Sequence, residues 1–141
     1  MPPTLHQRQS VRIEPADLHS HVERAFNAAD VDALVSLYEA DAQMVTDDGR
    51  VVTGLEAIRS VWSGFAELGG RIAMTTRYAV EQGDIALLSN VWTFEMDGAP
   101  LASSVTAEVA RRQPGGSWRY FIDNPNGVPM ETPDPGAQPP T

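Results

Sequence analysis

The sequence predicts an α+β fold, with three helices in the first half, then a long antiparallel meander, and the helices covering one face of a curved sheet. Three observations carry that prediction. Before Gly69–Gly70, apolar residues recur mainly at helical spacing. After it, the apolar segments read as strands. Those segments are divided by Gly83–Asp84, Asp97–Gly98 and Pro114–Gly115–Gly116, each a strong turn signal. A length of 141 residues suits one domain with a single core. A curved sheet closed by helices makes a cone, and the mouth of a cone is a natural pocket.

The elements follow in order. Residues 1–13 form a short leader. Pro15 sits in the first turn of a helix carrying Leu18, Val22, Ala25, Phe26 and Ala29. Asp30 then caps a shorter helix with Val31, Leu34, Leu37 and Tyr38 turned inward. Gln43–Thr46 and Arg50–Thr53 read as brief strands joined at Asp47–Asp48–Gly49. Thr53 and Glu56 form a capping box for a third helix from Gly54 to Leu68, with Leu55, Ile58, Val61, Trp62 and Phe65 on its buried stripe. The meander is Arg71–Glu81, Ile85–Met96, Leu101–Arg112 and Ser117–Asp123. The ordered domain spans 14–127, and the proline-rich tail from Val128 to Thr141 is predicted to be disordered.

Composition narrows the function classes. The net charge is −9, and the ten cationic side chains are all arginine without a basic cluster. That argues against nucleic acid and anionic membranes as partners. With no cysteine there is no disulfide, thiolate nucleophile or thiolate metal site, and a reducing cytoplasm is the simplest location. The polar start Met1–Ser10 lacks the apolar stretch of a signal peptide, and no apolar run approaches the roughly 20 residues that span a bilayer. His19 and His21 diverge at i, i+2 on a helix and suggest flanking residues, with His21 the nearer to the inward stripe. Asp47–Asp48–Gly49 reads as a turn. No metal site is expected.

The run Phe26–Asn27–Ala28–Ala29–Asp30–Val31–Asp32–Ala33–Leu34, then Leu37–Tyr38, Asp41–Ala42 and Gly54 through Ile58, resembles the nuclear transport factor 2-like superfamily. Within it the match is to the SnoaL-like and ketosteroid isomerase-like branch. The ending Gly116–Ser117–Trp118–Arg119 through Asp123–Asn124–Pro125 looks like the SgcJ/EcaC group of that branch. The resemblance covers about residues 14–127. It implies a bacterial protein with a cone-shaped fold, three N-terminal helices on a mainly antiparallel sheet, and homodimers formed sheet to sheet. This superfold hosts enzymes, binding proteins and assembly domains alike.

The resemblance also assigns positions. The general base of ketosteroid isomerases falls at Thr46, their oxyanion-hole tyrosine at Val22, and their protonated carboxyl near Ala107. Steroid isomerisation by that machinery is therefore not expected. Two members of the aspartate–arginine–aspartate set of limonene epoxide hydrolases fall near Asn90 and Trp92, while the aspartate on the last strand survives at Asp123.

Period-two alternation, with the same resemblance, sorts the faces. Ala86, Leu88, Asn90, Trp92, Phe94 and Met96 are expected inward. So are Leu101, Ser103, Val105, Ala107 and Val109, with Thr106, Glu108 and Arg112 outward. Met74, Tyr78 and Val80 complete the lining, and Phe121 and Asp123 join it from the last strand. The expected site is an apolar, aromatic pocket with Asp123, Asn90 and Tyr78 as catalytic groups. Burial raises a carboxyl's pKa and makes Asp123 a competent acid or base, while Asn90 and Tyr78 could donate to an oxyanion. Val22, Phe26, Tyr38, Met44, Thr46, Trp62, Trp92, Phe94, Val105, Ala107 and Phe121 are expected to contact the substrate. Asp123 could instead cap the Asn124–Pro125 turn or be neutralised by Arg119, and Asn90 could be a buried structural amide.

The function expected is acid/base chemistry on a small hydrophobic molecule without a cofactor: isomerisation, cyclisation, hydration or dehydration, or epoxide hydrolysis. A non-catalytic ligand-binding or dimerisation module is the alternative. The outer sheet face, with Ser89, Val91, Thr93, Thr106 and Ala110, is poorly charged and is expected to be covered by a second copy.

Overall fold

A computed structural model describes residues 12–129 of the chain. Residues 1–11 of the predicted leader and 130–141 of the predicted tail lie outside the described residues. A 3₁₀ turn at Pro15–Asp17 leads into α1 (Leu18–Asn27), followed by α2 (Val31–Val35), β1 (Tyr38–Val45), β2 (Val51–Thr53) and α3 (Leu55–Glu67). The meander is β3 (Arg71–Gln82), β4 (Ile85–Met96), β5 (Ala99–Arg112) and β6 (Trp118–Pro129). The α+β class, the three helices and the meander agree with the prediction.

Local chemistry explains most boundaries. Asp30 caps α2, its Oδ1 accepting the Ala33 N–H at 3.0 Å. The predicted Thr53–Glu56 capping box does not form. Gly54 is the cap residue at φ 94°, with no side-chain hydrogen bond, because Thr53 belongs to β2 and pairs with Gln43. Tyr38, predicted to end the second helix, begins β1. β6 runs two residues past the predicted domain end, its Val128 and Pro129 paired with Val105 and Ser104. Asn27 closes α1 against the sheet: its Nδ2 donates to the Ile72 carbonyl at 2.9 Å and its Oδ1 accepts the Ile72 N–H at 2.8 Å. That clamp sets the height of α1 over β3.

The six strands are ordered β2-β1-β6-β5-β4-β3, antiparallel except where β1 and β6 run parallel. The helices cover one face, and the core lies between that face and α1 and α3. Its aromatic centre is Phe26, with ring centroids 5.8 Å from Trp62 and 6.2 Å from Phe94. Edge-to-face and tilted pairs of this kind add to burial.

Three single-residue bulges decide which side chains reach that core. The Asp97–Gly98 turn, with φ 53° and 77°, pairs Met96 with Ala99 and Glu95 with Pro100. Phe94 then pairs with Ala102, leaving Leu101 as an extra residue. In β3, Thr76 pairs with Asn90 but Tyr78 with Ser89, so Arg77 is extra. In β6, Tyr120 pairs with Ala110 but Ile122 with Val109, so Phe121 is extra. Each bulge inverts the inside–outside alternation beyond it.

The inversions correct several assignments. Val105, Ala107 and Val109 face outward, and Thr106, Glu108 and Ala110 face the helices. Thr106 and Ala110 therefore do not belong to the outer face. Tyr78 is turned out of the core and is exposed. Phe121 lies on the outer face, with the Arg111 guanidinium carbon 4.1 Å from its ring centroid. Arg111 also grips Glu39 through two hydrogen bonds of 2.8 and 2.5 Å, spanning β6 and holding the Glu39 carboxyl below its usual pKa. The outer face carries a continuous apolar row, because Val80 pairs with Leu87, Leu87 with Val109, and Val109 with Ile122. Val80 is 56% and Leu87 46% exposed.

Candidate active site

Between the helices and the inner face of the sheet lies a cavity of about 50 Å³. Val22 and Phe26 enter from α1, and Val61, Trp62 and Phe65 from α3. Met44 comes from β1, and Trp92 and Phe94 from β4. An outer chamber of about 280 Å³ adjoins it, sharing Met44, Val61, Phe65, Trp92 and Pro125, with Asp47 and Asp48 at its rim. The wall on this side is tied by the Trp92 indole, which donates to the Pro125 carbonyl at 2.7 Å, and by Asn126, whose amide donates to Asp47 at 2.7 Å.

The polar end of the cavity is built by β4, β5 and β6. Asp123 and Glu108 are directly paired across β5 and β6, and both line the cavity. The Phe121 bulge makes this possible, since it puts Tyr120 and Asp123 on the same face. Asp123 is 4% exposed, and the Tyr38 hydroxyl donates to its Oδ2 at 2.5 Å. That hydroxyl accepts the Trp62 indole N–H at 3.1 Å. Burial, and then the Glu108 carboxyl opposite, push the Asp123 pKa up to about 8, the Tyr38 bond opposing them. Burial followed by Asp123 holds the Tyr38 phenol well above its ordinary pKa, and burial followed by Glu108 does the same for Tyr120.

Glu108 is held from behind. His19 Nε2 lies 2.8 Å from Glu108 Oε1, while His19 Nδ1 lies 2.8 Å from the Thr76 hydroxyl. The Thr106 hydroxyl also reaches Glu108 Oε1, at 2.5 Å. Asn90 donates from its backbone N–H to Thr106 Oγ1 at 2.9 Å and from Nδ2 to the same atom at 3.1 Å. Since the Thr106 proton goes to Glu108, both Asn90 contacts must be donations. This orients the amide and leaves Asn90 Oδ1 buried without a partner. The Tyr120 hydroxyl is likewise buried and unpartnered.

The predicted residues divide accordingly. Asp123, Asn90, Val22, Phe26, Tyr38, Met44, Trp62, Trp92 and Phe94 meet around one cavity. Tyr78, Val105, Ala107 and Phe121 do not, each displaced by a bulge. Thr46 sits at the outer chamber, its hydroxyl spent on Asp48 and the Arg50 carbonyl. Asn90 changes role: its N–H groups are used, so it faces the cavity as an acceptor and not as an oxyanion donor. Arg119 is exposed, and Asp123 is bonded to Tyr38.

Sequence reasoning missed Glu108, Thr106, Tyr120 and His19. His19 is 2% exposed, whereas His21 is only partly buried and lies 3.4 Å from Arg24. The signal for His19 was present, because positions 19, 22 and 26 fall on one helical stripe. Glu108, one residue beyond the position near Ala107 that the resemblance assigned to the carboxyl, faces the cavity. Among the described residues, no group of three or more His, Cys, Asp or Glu side chains is placed to hold a metal ion. No helix among them is long and apolar enough to cross a membrane.

Comparisons with known proteins agree on the fold. The chain matches a candidate calcium/calmodulin-dependent protein kinase type II association domain from Thiobacillus denitrificans with a TM-score of 0.72 and 16% identity, over 86% of this chain and 98% of the other. It matches a candidate dehydratase of the nuclear transport factor 2-like family from Streptomyces avermitilis at 0.66 and 18%, over 82% and 92%. A ketosteroid isomerase-like protein from Erwinia carotovora atroseptica matches at 0.59 and 18%, over 78% and 90%. No curated protein matches the chain. These likenesses show the nuclear transport factor 2-like cone. The SnoaL-like domain model matches residues 18–120, from the start of α1 to the cavity-lining Tyr120, and the chain therefore belongs to the SnoaL-like family.

Proposed function

We propose that the protein is an acid/base enzyme acting on a small, largely hydrophobic molecule, with Asp123 as the proton-transfer residue. The observation behind this reading is a buried carboxyl with a pKa near 8 at the polar end of an apolar cavity. Near neutrality Asp123 is mostly protonated, and a modest change in its surroundings ionises it, which suits a group that must both give and take a proton. The Tyr38 hydroxyl engages Oδ2 and leaves Oδ1 for the substrate. The free Tyr120 hydroxyl supplies the oxyanion donor, a role the sequence assigned to Tyr78. The His19–Glu108 contact holds the carboxyl opposite Asp123 in place, and Thr76, on the exposed side of His19, connects it towards solvent. The reaction class is isomerisation, cyclisation or hydration/dehydration by proton transfer, carried by side chains without a cofactor.

The test is carboxyl-carbon NMR of Asp123. A titration midpoint near 8 is expected; one at or below the ordinary aspartate value would remove the acid/base role. A second reading, a module that assembles through the sheet, is favoured by the apolar row Val80–Leu87–Val109–Ile122 on the outer face. Under it the protein is a homodimer, a state compatible with catalysis because the row faces away from the cavity.

A further inference from the structure

The cavity combines two features that acid/base chemistry on a neutral substrate does not explain. Its polar wall is rich in acceptors, and it is without a permanent cation. Among the described residues no arginine lines the cavity, whereas Asp123 and Glu108 both do. His19 lies behind Glu108, and both its ring nitrogens are occupied by Glu108 and Thr76. Independently, Asn90 is fully buried, with its N–H groups spent on Thr106 and its Oδ1 unpartnered. A buried acceptor without a donor is unfavourable, so that atom suits an N–H or O–H from a ligand. The rings of Phe26, Trp62, Trp92 and Phe94 line the same cavity, and the face of an aromatic ring attracts a cation.

We propose that the cavity takes a small primary ammonium group, which donates to Asn90 Oδ1 and the Asp123 carboxylate, with the apolar body of the ligand in the outer chamber. The inner cavity holds only a few heavy atoms, which fits a –CH₂NH₃⁺ head, while the adjoining chamber accommodates an aromatic or branched body. Asp47 at the rim and the protein's net charge of −9 favour the approach of a cation and disfavour a carboxylate or phosphate. Tyr120 is left free for a ligand oxygen. This names the substrate class for the proton transfer proposed above and rests on that reading for its chemical consequence: the arriving cation displaces the Asp123 proton to solvent and leaves the carboxylate as the base.

The test is a matched probe series, benzylamine, benzyl alcohol and benzoate, followed by the indole N–H signals of the full chain. Trp62 and Trp92 line the cavity, whereas Trp118 does not. Benzylamine is expected to bind about ten-fold more tightly than benzyl alcohol, and benzoate more weakly still. The Trp62 and Trp92 signals should move while Trp118 stays fixed. Calorimetry at pH 7 in buffers of different ionisation enthalpy should show proton release on benzylamine binding alone. Asn90→Leu should abolish the preference for the amine while keeping affinity for the alcohol; if that variant does not fold, the wild-type series decides by itself. Equal or tighter binding of the alcohol or benzoate, or no response of Trp62 and Trp92 to the amine, overturns the inference. Should the alcohol be preferred while Asp123 titrates near 8, only the ammonium inference fails. Should the amine be preferred while Asp123 titrates normally, the acid/base reading fails and the binding site stands.

Discussion

Asp123 shows how one side chain reports on its surroundings. An exposed aspartate loses its proton near pH 4, but this one keeps it until about 8, because burial and Glu108 both disfavour a second negative charge. Below pH 4 both the folded and the unfolded chain carry the proton, so the group is neutral to stability change. Between pH 4 and 8 only the folded form holds it, and stability from this group falls as pH rises, by on the order of 1 kcal/mol per pH unit; above 8 the loss stops. Asp123→Asn should remove that slope. Urea unfolding of the two proteins at pH 5 and pH 8 is expected to show the variant gaining on the wild type as pH rises. A constant difference between them would contradict the raised pKa. Asp123 was legible in the sequence because an acidic residue closes an otherwise apolar strand. Glu108 was not, because the alternation of its strand placed it outside.

The reason lies at the level of the element. Alternation is a dependable guide along an uninterrupted strand, and β3 and β5 are each interrupted once and β6 twice. The Asp97–Gly98 turn, taken alone, would pair Asn90 with Val105 and Leu88 with Ala107, which is the inward set that the sequence suggested. Leu101 shifts the ladder by one and exchanges that set for Thr106 and Glu108. Nothing in the residue types at Arg77, Leu101 or Phe121 marks a bulge, since none is glycine. The first and third helices, by contrast, read correctly apart from their ends because their stripes span whole turns, whereas the second stops at Val35 and its predicted last turn runs into β1. Gly70, at the joint between α3 and β3, packs directly against β4. A Cβ there would lie 2.4 Å from the Phe94 ring and 2.6 Å from the Glu95 carbonyl oxygen, the latter unable to move without disturbing β4. Gly70→Ala is expected to cost about 2 kcal/mol or more by overpacking. Gly69→Ala, at φ 76° with open space around it, should cost about 1 kcal/mol. Thermal unfolding of the pair tests the ranking; the reverse order would mean that backbone conformation outweighs packing at this joint.

For the whole molecule, the sheet has one face sealed by helices and the other crossed by an apolar row. Such a row is more than scattered exposure, because four strands contribute neighbouring residues at one level. A second copy laid face to face would cover it, and a stable interface of this kind buries roughly 800 Å² per partner. Sedimentation should therefore find the wild-type chain dimeric at micromolar concentration. Leu87→Asp, which places a charge in the middle of the row, should be monomeric with its cavity intact. A wild-type monomer would refute the assembly.

The place of β6 in the sheet also bears on how the protein is made. It is synthesised after every other described element, yet it sits between β5 and β1, and it alone joins the N-terminal hairpin to the meander. At about 5–20 residues per second on the ribosome, α1, β1 and α3 emerge seconds before their partner strand. Until then two half-sheets share no ladder, and Phe26 and Trp62 have no finished floor to pack on. Contacts between β1 and β6 span most of the domain, which makes closure a late and slow step. The strand that closes the sheet also carries Tyr120 and Asp123. Completion of the fold and arrival of the acid are thus a single event, so a partly folded chain with a sealed interior but no acid is not on the path.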